Sequence, residues 1–110
     1  MLKVSVAKEE GIIKKNIFEG HAEYDDYGKD IVCASASTML ITTVNAILEF
    51  DKNAINYTND KNIVINNLKQ DNITNVLLNN LFNLLEELEN NYKDYIKIIK
   101  GGGKSWIKCF

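Results

Sequence analysis

The amino-acid sequence predicts an α+β fold in which two helices pack on a mostly antiparallel sheet, with the elements in the order ββαββαβ. The first observation is that the residues near the N-terminus alternate between two sides, with Leu2, Val4 and Val6 on one side. The second is a pair of long apolar segments with helical spacing, each of which follows two short strand-like segments. We expect residues 1–100 to form a single domain, and residues 101–110 to form a glycine hinge and a C-terminal tail.

The first two segments predict a β-hairpin. Apolar and polar side chains alternate in residues 2–8, as they do in a half-buried strand. Gly11 supplies the positive φ that a tight hairpin turn needs. Residues 12–19 form the second strand, whose phase is ambiguous because either Ile17 or Phe18 points inward.

The first helix is predicted from the long apolar run Ile31–Phe50. Asp30 stands directly before this run, where a carboxylate accepts the free amides of the first turn, so we expect it to be the N-cap. Cys33, Ser37 and Leu40 share one stripe of this helix. Because the run is apolar nearly all round, we expect the helix to be largely buried.

The second half repeats the pattern. Residues 54–57 and 63–65 resemble two short strands, and Asp71 or Asn72 caps a helix of about 20 residues. The apolar stripe of this helix comprises Ile73, Val76, Leu77, Leu81, Leu84, Leu85, Leu88 and Tyr92. Residues 95–99 alternate again and predict the last strand.

Composition excludes several classes of protein. No run of about 18 apolar residues is present, so we expect no membrane span, and the first five residues lack the pattern of a signal peptide. A net charge of −2 without any arginine argues against nucleic acid as a partner. Two distant cysteines, Cys33 and Cys109, do not form a zinc site, and we expect neither a metal nor another cofactor. The expected compartment is the cytoplasm, where both thiols stay reduced.

One pair of residues is a candidate for nucleophilic catalysis. His21, the only histidine, follows a glycine at a strand end, and Cys33 lies about three residues beyond the expected N-cap. The helix dipole favours a thiolate there, and an imidazole stabilises it and protonates a leaving amine. The alternative is a buried core cysteine beside an unrelated loop histidine.

Other side chains near this pair are weaker candidates. Asp30 either caps the helix or orients the histidine, and Ser37 either bonds back to the preceding turn or contacts a substrate backbone. Tyr24 and Tyr27 line a pocket or anchor their loop. Cys109 is a poor nucleophile because no histidine lies near it in the sequence.

A short stretch of sequence resembles the ribosomal-processing cysteine protease family, Prp. The matching residues are Gly20-His21-Ala22, then Gly28-Lys29-Asp30-Ile31-Val32-Cys33-Ala34, followed by Ser37. The sequence departs from the family pattern at Ser35, where alanine is usual. The resemblance is highly specific over residues 20–37, extends more loosely over residues 1–100, and does not include the tail.

The resemblance implies a cytoplasmic bacterial enzyme that forms a small α/β homodimer. Such enzymes remove the N-terminal extension from one large-subunit ribosomal protein, the twenty-seventh, at a motif rich in phenylalanine. In this sequence the family's nucleophile matches Cys33 and its general base matches His21. The supporting or substrate-binding positions match Gly20, Ala22, Gly28, Asp30 and Ser37. We further expect residues 22–29 to form a mobile lid, with Tyr24, Tyr27 or Leu40 in a substrate pocket.

Two other functions compete with a protease. A non-catalytic, ribosome-associated module would dock a basic ribosomal protein through the acidic loop that contains Asp25 and Asp26. A purely structural dimerisation domain gives no reason for a histidine, a glycine-bracketed loop and a cysteine to coincide. Rapid alkylation of Cys33 would separate a catalytic thiol from a core cysteine.

Overall fold

The computed structural model describes residues 1–20 and 27–101, with side chains from residue 31 onward in the second range. Seven elements follow one another in the predicted order. They are β1 (Leu2–Glu9), β2 (Ile12–Glu19), α1 (Tyr27–Phe50), β3 (Ile55–Asn59), β4 (Ile63–Asn67), α2 (Asn72–Asn91) and β5 (Ile96–Gly101). The α+β class is therefore confirmed, and most strand boundaries fall within two residues of those expected from sequence.

The five strands form one sheet in the order β3-β4-β2-β1-β5. Only the pairing of β1 with β5 is parallel, and the other three pairings are antiparallel. The β1–β2 turn has a positive φ at both central residues, 52° at Glu10 and 79° at Gly11, as in the twisted two-residue hairpin turns. The expected turn at Gly11 is thus confirmed.

The main core lies between one face of the sheet and the two helices. This face carries the alternating residues of β1 that the sequence predicted to be buried, together with Phe18 of β2. Asn16 also lies on it, in register with Val6 and Ile65, and is fully buried. Neither amide atom of Asn16 has a hydrogen-bond partner among the described residues. The core therefore contains an unsatisfied polar group, which costs stability.

The opposite face of the sheet carries a second, smaller apolar cluster. We call it the second face, and define it by Ser5, Ala7, Ile17 and Val64. Register pairs Ser5 with Ile17 and Ile17 with Val64, which places these side chains on one side. Ala7 and Ile17 pack together as a separate cluster with Val64 against them. The phase of β2 was ambiguous from sequence because both Ile17 and Phe18 are buried, on opposite faces.

Helix α1 differs from its prediction in two respects. It begins at Tyr27, so Asp30 lies inside the helix and is not the N-cap. It is also not largely buried, because only one face enters the core. The buried residues are Val32, Ala36, Leu40, Thr43, Val44 and Ile47. On the other side, Ile41 is 53% exposed and Phe50 is 54% exposed.

Helix α2 begins and ends close to the predicted positions. The side chain of Asp71 accepts a hydrogen bond from the Thr74 amide at 2.8 Å, which confirms an N-cap at one of the two expected residues. The predicted stripe is correct from Leu81 onward and wrong before it. There Thr74 and Leu78 are buried, whereas Ile73 is 44% exposed and Val76 is 57% exposed.

The apolar segment of α1 also bears on membranes. Residues 31–50 have a mean hydropathy of 1.8 and are long enough to cross a bilayer, so the sequence-based exclusion was too strict. Serine, threonine and asparagine interrupt the apolar run, but no charged residue occurs before Glu49. Because one face of α1 packs into the main core, we interpret it as a core helix with an uncharged outer face.

Candidate active site

A small pocket lies where α1 passes the ends of three strands. Its cavity volume is about 50 Å³. It is lined by Leu2, Phe18, Gly20, Cys33, Ala36, Ser37, Leu40 and Ile63. All but two of these residues are apolar or glycine, and the two polar ones come from α1. The pocket therefore presents one thiol and one hydroxyl against an apolar wall.

Cys33 is placed at the border between the buried and exposed sides of α1. Its neighbour Val32 is 1% exposed and belongs to the main core, whereas Cys33 is half-buried and reaches the pocket. Because α1 begins at Tyr27, Cys33 lies in the second helical turn rather than the first. Cys33 therefore lies farther from the helix N-terminus than the sequence suggested.

Gly20 brings the end of β2 to the same pocket. Its φ is +84°, and a Cβ at this position would collide with the carbonyl oxygen of Met1. Both the backbone conformation and the space therefore require glycine. Since Gly20 directly precedes His21, the chain leads to the histidine from the pocket wall.

Ser37 lies one helical turn after Cys33 and is exposed. The nearby hydroxyls of Thr38 and Thr43 donate to carbonyl oxygens four residues earlier, each at 2.8 Å. Ser37 lines the pocket, so its hydroxyl is accessible to a ligand there.

The structure brings together only part of the predicted site. Gly20, Cys33 and Ser37 line one pocket with Leu40, which the sequence also proposed. His21, Ala22 and Tyr24 lie outside the described residues, as does Cys109. The backbone of Tyr27, Gly28 and Asp30 lies in the first turns of α1. Residues 27–29 are therefore helical and do not belong to the loop that was expected to act as a lid.

The apolar wall contains residues that sequence reasoning missed. Leu2, Phe18 and Ile63 belong to three different strands, and register joins two of them because Phe18 pairs with Ile63. The alternation of residues 2–8 identified Leu2 as buried, but only the strand order shows that it lies beside α1. Phe18 and Ile63 could be found only if the sequence indicated that β2 pairs with β4.

The arrangement can support attack by a thiol on a group held in an apolar recess. Cys33 supplies a nucleophile, Ser37 supplies a hydroxyl, and the remaining wall excludes water. Among residues 1–20 and 31–101, no cluster of three or more His, Cys, Asp or Glu side chains is placed to hold a metal ion. The described part of the site thus offers nucleophilic chemistry.

Comparison with known proteins agrees with this geometry. Residues 1–97 match the protein family described as Cysteine protease Prp. A ribosomal processing cysteine protease Prp from Staphylococcus aureus is 33% identical over 103 residues, which cover 89% of this chain and 97% of the relative.

Solved structures show the same fold. A crystal structure of S. aureus Prp with a substrate peptide has a TM-score of 0.83 at 27% identity, and covers 92% of this chain and all of the other. A second S. aureus Prp structure, with a covalently linked product peptide, has a TM-score of 0.81 at 28% identity and the same coverage. A Streptococcus mutans protein at 22% identity has a TM-score of 0.84, over 94% of this chain and 96% of the other, and supports the fold alone. The pocket thiol, the family match and the shared fold together establish that this chain belongs to the Prp family of cysteine proteases.

Proposed function

We propose that this protein is a cytoplasmic endopeptidase that uses a Cys33–His21 dyad to remove the N-terminal extension of a large-subunit ribosomal protein, the twenty-seventh. The observation that carries the dyad is that Cys33 and Gly20, the residue before His21, line the same pocket. The substrate class follows the ribosomal-processing relatives, two of whose structures hold a substrate or product peptide.

The proposed reaction begins at the thiolate of Cys33. It attacks the carbonyl carbon of the scissile peptide bond, and the imidazolium of His21 gives its proton to the departing amine, which leaves a thioester on Cys33. Neutral His21 then takes a proton from water, and the resulting hydroxide attacks the thioester carbonyl. The acid product releases the second proton of the water to solvent and departs as a carboxylate, and Cys33 returns as a thiolate beside the imidazolium of His21, so atoms and charge balance over the cycle.

The remaining pocket residues have binding roles in this proposal. The Ser37 hydroxyl lies within one helical turn of the nucleophile and donates to a peptide carbonyl. Leu40 and Phe18 hold an apolar side chain of the substrate, which suits a cleavage motif rich in phenylalanine. Gly20 positions His21 by fixing the backbone that precedes it.

Cleavage of a synthetic peptide tests the proposal. The peptide spans the N-terminal extension of the ribosomal protein, and mass spectrometry identifies its products. We expect the wild type and Cys109→Ser to cut one bond next to phenylalanine, and Cys33→Ser and His21→Ala to lose at least about 10³-fold in rate, the order expected when a catalytic residue that acts as part of a unit is lost. If no variant cuts but the peptide binds, a non-catalytic docking module replaces the protease. Full activity of His21→Ala would contradict the Cys33–His21 dyad but not the protease activity itself.

We further propose that the enzyme acts as a homodimer formed through the exposed face of α1. The apolar stripe of α2 is not available for this contact because Leu81, Leu85 and Leu88 lie in the main core. Residues 31–48 of α1 include no charged residue, and their exposed side includes Ile41, so this part of the helix can pack against its own copy. Ile41→Glu should reduce the mass measured by light scattering to that of one chain, whereas Val76→Glu on the outer surface of α2 should not.

A further inference from the structure

The apolar side chains that line the pocket of Cys33 differ in how deeply they are buried. Four of them are at most 9% exposed and belong to the main core, namely Leu2, Phe18, Ala36 and Leu40. Ile63 is half-buried and packs against that core without being enclosed by it. Because core positions are closely packed, a change in any of the four disturbs the fold. Of the apolar wall residues in the described ranges, Ile63 is therefore the one whose size can change with the least disturbance.

The place of Ile63 in the sheet explains this difference. It is the first residue of β4, directly after the turn in which the Asp60 amide donates to the Asn62 carbonyl at 3.3 Å. Register pairs it with Phe18 of β2 on one side and with Asn59, the last residue of β3, on the other. Its backbone is thus held by two strands, while its side chain borders the pocket. A residue that selects a ligand by size needs such a rigid support.

The recess that Ile63 borders is small. Its cavity of about 50 Å³ lies between α1 and the ends of the strands, and Cys33 lines the same cavity. A single water needs about 10–15 Å³ of such space, so one or two methyl groups in the wall alter the available room substantially. In an apolar pocket, one added or missing methylene changes the discrimination between substrates by about 10- to 200-fold. The size of residue 63 therefore bears directly on which side chain the recess accepts.

We propose that Ile63 is a specificity residue, whose side chain limits the size of the apolar substrate side chain that enters the recess beside Cys33. This inference rests on the proposed cleavage of a peptide, because it takes the occupant of the recess to be the side chain next to the cut bond. Ile63 contacts the substrate in this role and takes no part in the bond-breaking steps. A smaller residue at this position opens the recess to larger side chains.

A series of peptides that differ in one residue tests this role. Each peptide spans the N-terminal extension of the ribosomal protein and carries leucine, phenylalanine or tryptophan next to the cut bond. For Ile63→Ala, we expect the ratio of kcat/KM for the tryptophan peptide to that for the phenylalanine peptide to rise by about 10-fold or more. Ile63→Val removes a single carbon and should give a smaller rise in the same direction.

Val64→Ala is the matched control. Val64 is the next residue of β4 and is also half-buried, but its side chain packs on the second face, away from the pocket. This substitution shortens a β-branched side chain in the same strand and should leave the ratio between the peptides unchanged. Circular dichroism checks that all the variants are folded.

Binding measurements distinguish this inference from the proposed function. The affinities of the same peptides are measured by fluorescence anisotropy with Cys33→Ser, which lacks the proposed nucleophile, alone and combined with Ile63→Ala. We expect the affinity ratio of the tryptophan to the phenylalanine peptide to rise in the combined variant. If this rise occurs although the wild type cleaves no peptide, the proposed protease function is wrong and the role of Ile63 stands.

Four results would overturn the role of Ile63. They are an affinity ratio that Ile63→Ala leaves unchanged, cleavage with an unchanged ratio of kcat/KM, an equal shift in Val64→Ala, and no binding of any peptide in the series.

Discussion

The two helices show how differently a sequence can specify the orientation of an apolar segment. In α2 the buried side chains lie on one stripe between polar ones, and Asp71 fixes its start. In α1 apolar and small residues occur all round, and only the packing decides that Val32 and Ala36 face the core while Ile41 faces outward. Because apolar residues occur all round α1, its solvent-facing side is also apolar. This side adjoins Cys33 and is available for another function.

The largest expected difference between the two helices is in how much stability is lost when an apolar side chain is truncated. Leu81 of α2 is 0% exposed, so Leu81→Ala should lower the free energy of unfolding by about 2–5 kcal/mol through lost burial and a residual cavity. Ile41→Ala on the outer side of α1 should change the unfolding free energy of the monomer by less than about 0.5 kcal/mol. Urea denaturation at a concentration where the protein is monomeric measures both. Equal losses would mean that α1 is as specifically packed as α2.

The next largest expected effect on the free energy of unfolding comes from a buried residue of the sheet beneath both helices. Asn16→Val should raise the free energy of unfolding by about 1–3 kcal/mol, because it removes two buried amide atoms that have no partner among the described residues. Asn67 is the matched control: its amide nitrogen donates to the Ile13 carbonyl at 3.0 Å and its oxygen accepts from the Gln70 amide at 2.9 Å. Asn67→Val should therefore destabilise the protein. A loss of stability in Asn16→Val would show that this side chain is satisfied in solution.

The smallest expected effect is on the decrease of the unfolding free energy at acidic pH, which we call the acid limb. The Thr74 amide donates to the Asp71 carboxylate, which lowers the pKa of Asp71 below its ordinary value of 3.8. Because this pKa is lower in the folded state than in the unfolded state, the Asp71 carboxylate contributes stability above pH 3.8. That contribution is lost as the pH falls through the folded-state pKa. Asp71→Asn keeps a capping side chain but does not titrate, so its unfolding free energy should fall less steeply under acid.

Asp51, directly after α1, provides the comparison for this titration. Its contact with Lys69 at 2.5 Å also lowers its pKa, and its carboxylate accepts the Asn53 amide at 2.9 Å. Asp51→Asn should flatten the acid limb in the same pH range, and added salt should weaken this contribution more than that of Asp71 because an exposed ion pair is screened. An acid limb that neither substitution changes would contradict both assignments.

The fold was predictable wherever local signals agreed. Alternation in residues 2–8 and the side chain of Asp71 identified β1 and the start of α2, although Ser5 and Ala7 are buried on the face of β1 expected to be open. The start of α1 was missed because Asp30 resembles an N-cap, whereas the helix continues back to Tyr27. The first turn of α2 was misassigned because Thr74 is buried through its bonds to the Asp71 carboxylate, which no hydrophobic pattern reveals.

The candidate site was predictable only in part for a related reason. Cys33 and Ser37 follow from helical spacing, whereas Gly20 was proposed only from the resemblance to the family. Phe18 and Ile63 meet there only because β4 pairs with β2, a contact between segments more than forty residues apart. Spacing along the chain carries no information about such pairings, whereas the strand order supplies it directly.

The parallel pairing of β1 with β5 has a consequence for how the enzyme matures. The Leu2 amide donates to the Tyr95 carbonyl at 2.9 Å, so the first strand is tied to residues at the far end of the family domain. Loop closure over such a separation is slow relative to local hairpin and helix formation. We therefore expect Leu2, which forms one wall of the pocket, to be fixed late, after nearly the whole chain has been synthesised. We expect a nascent chain that already contains Cys33 to lack a complete recess for a peptide until β5 has been synthesised.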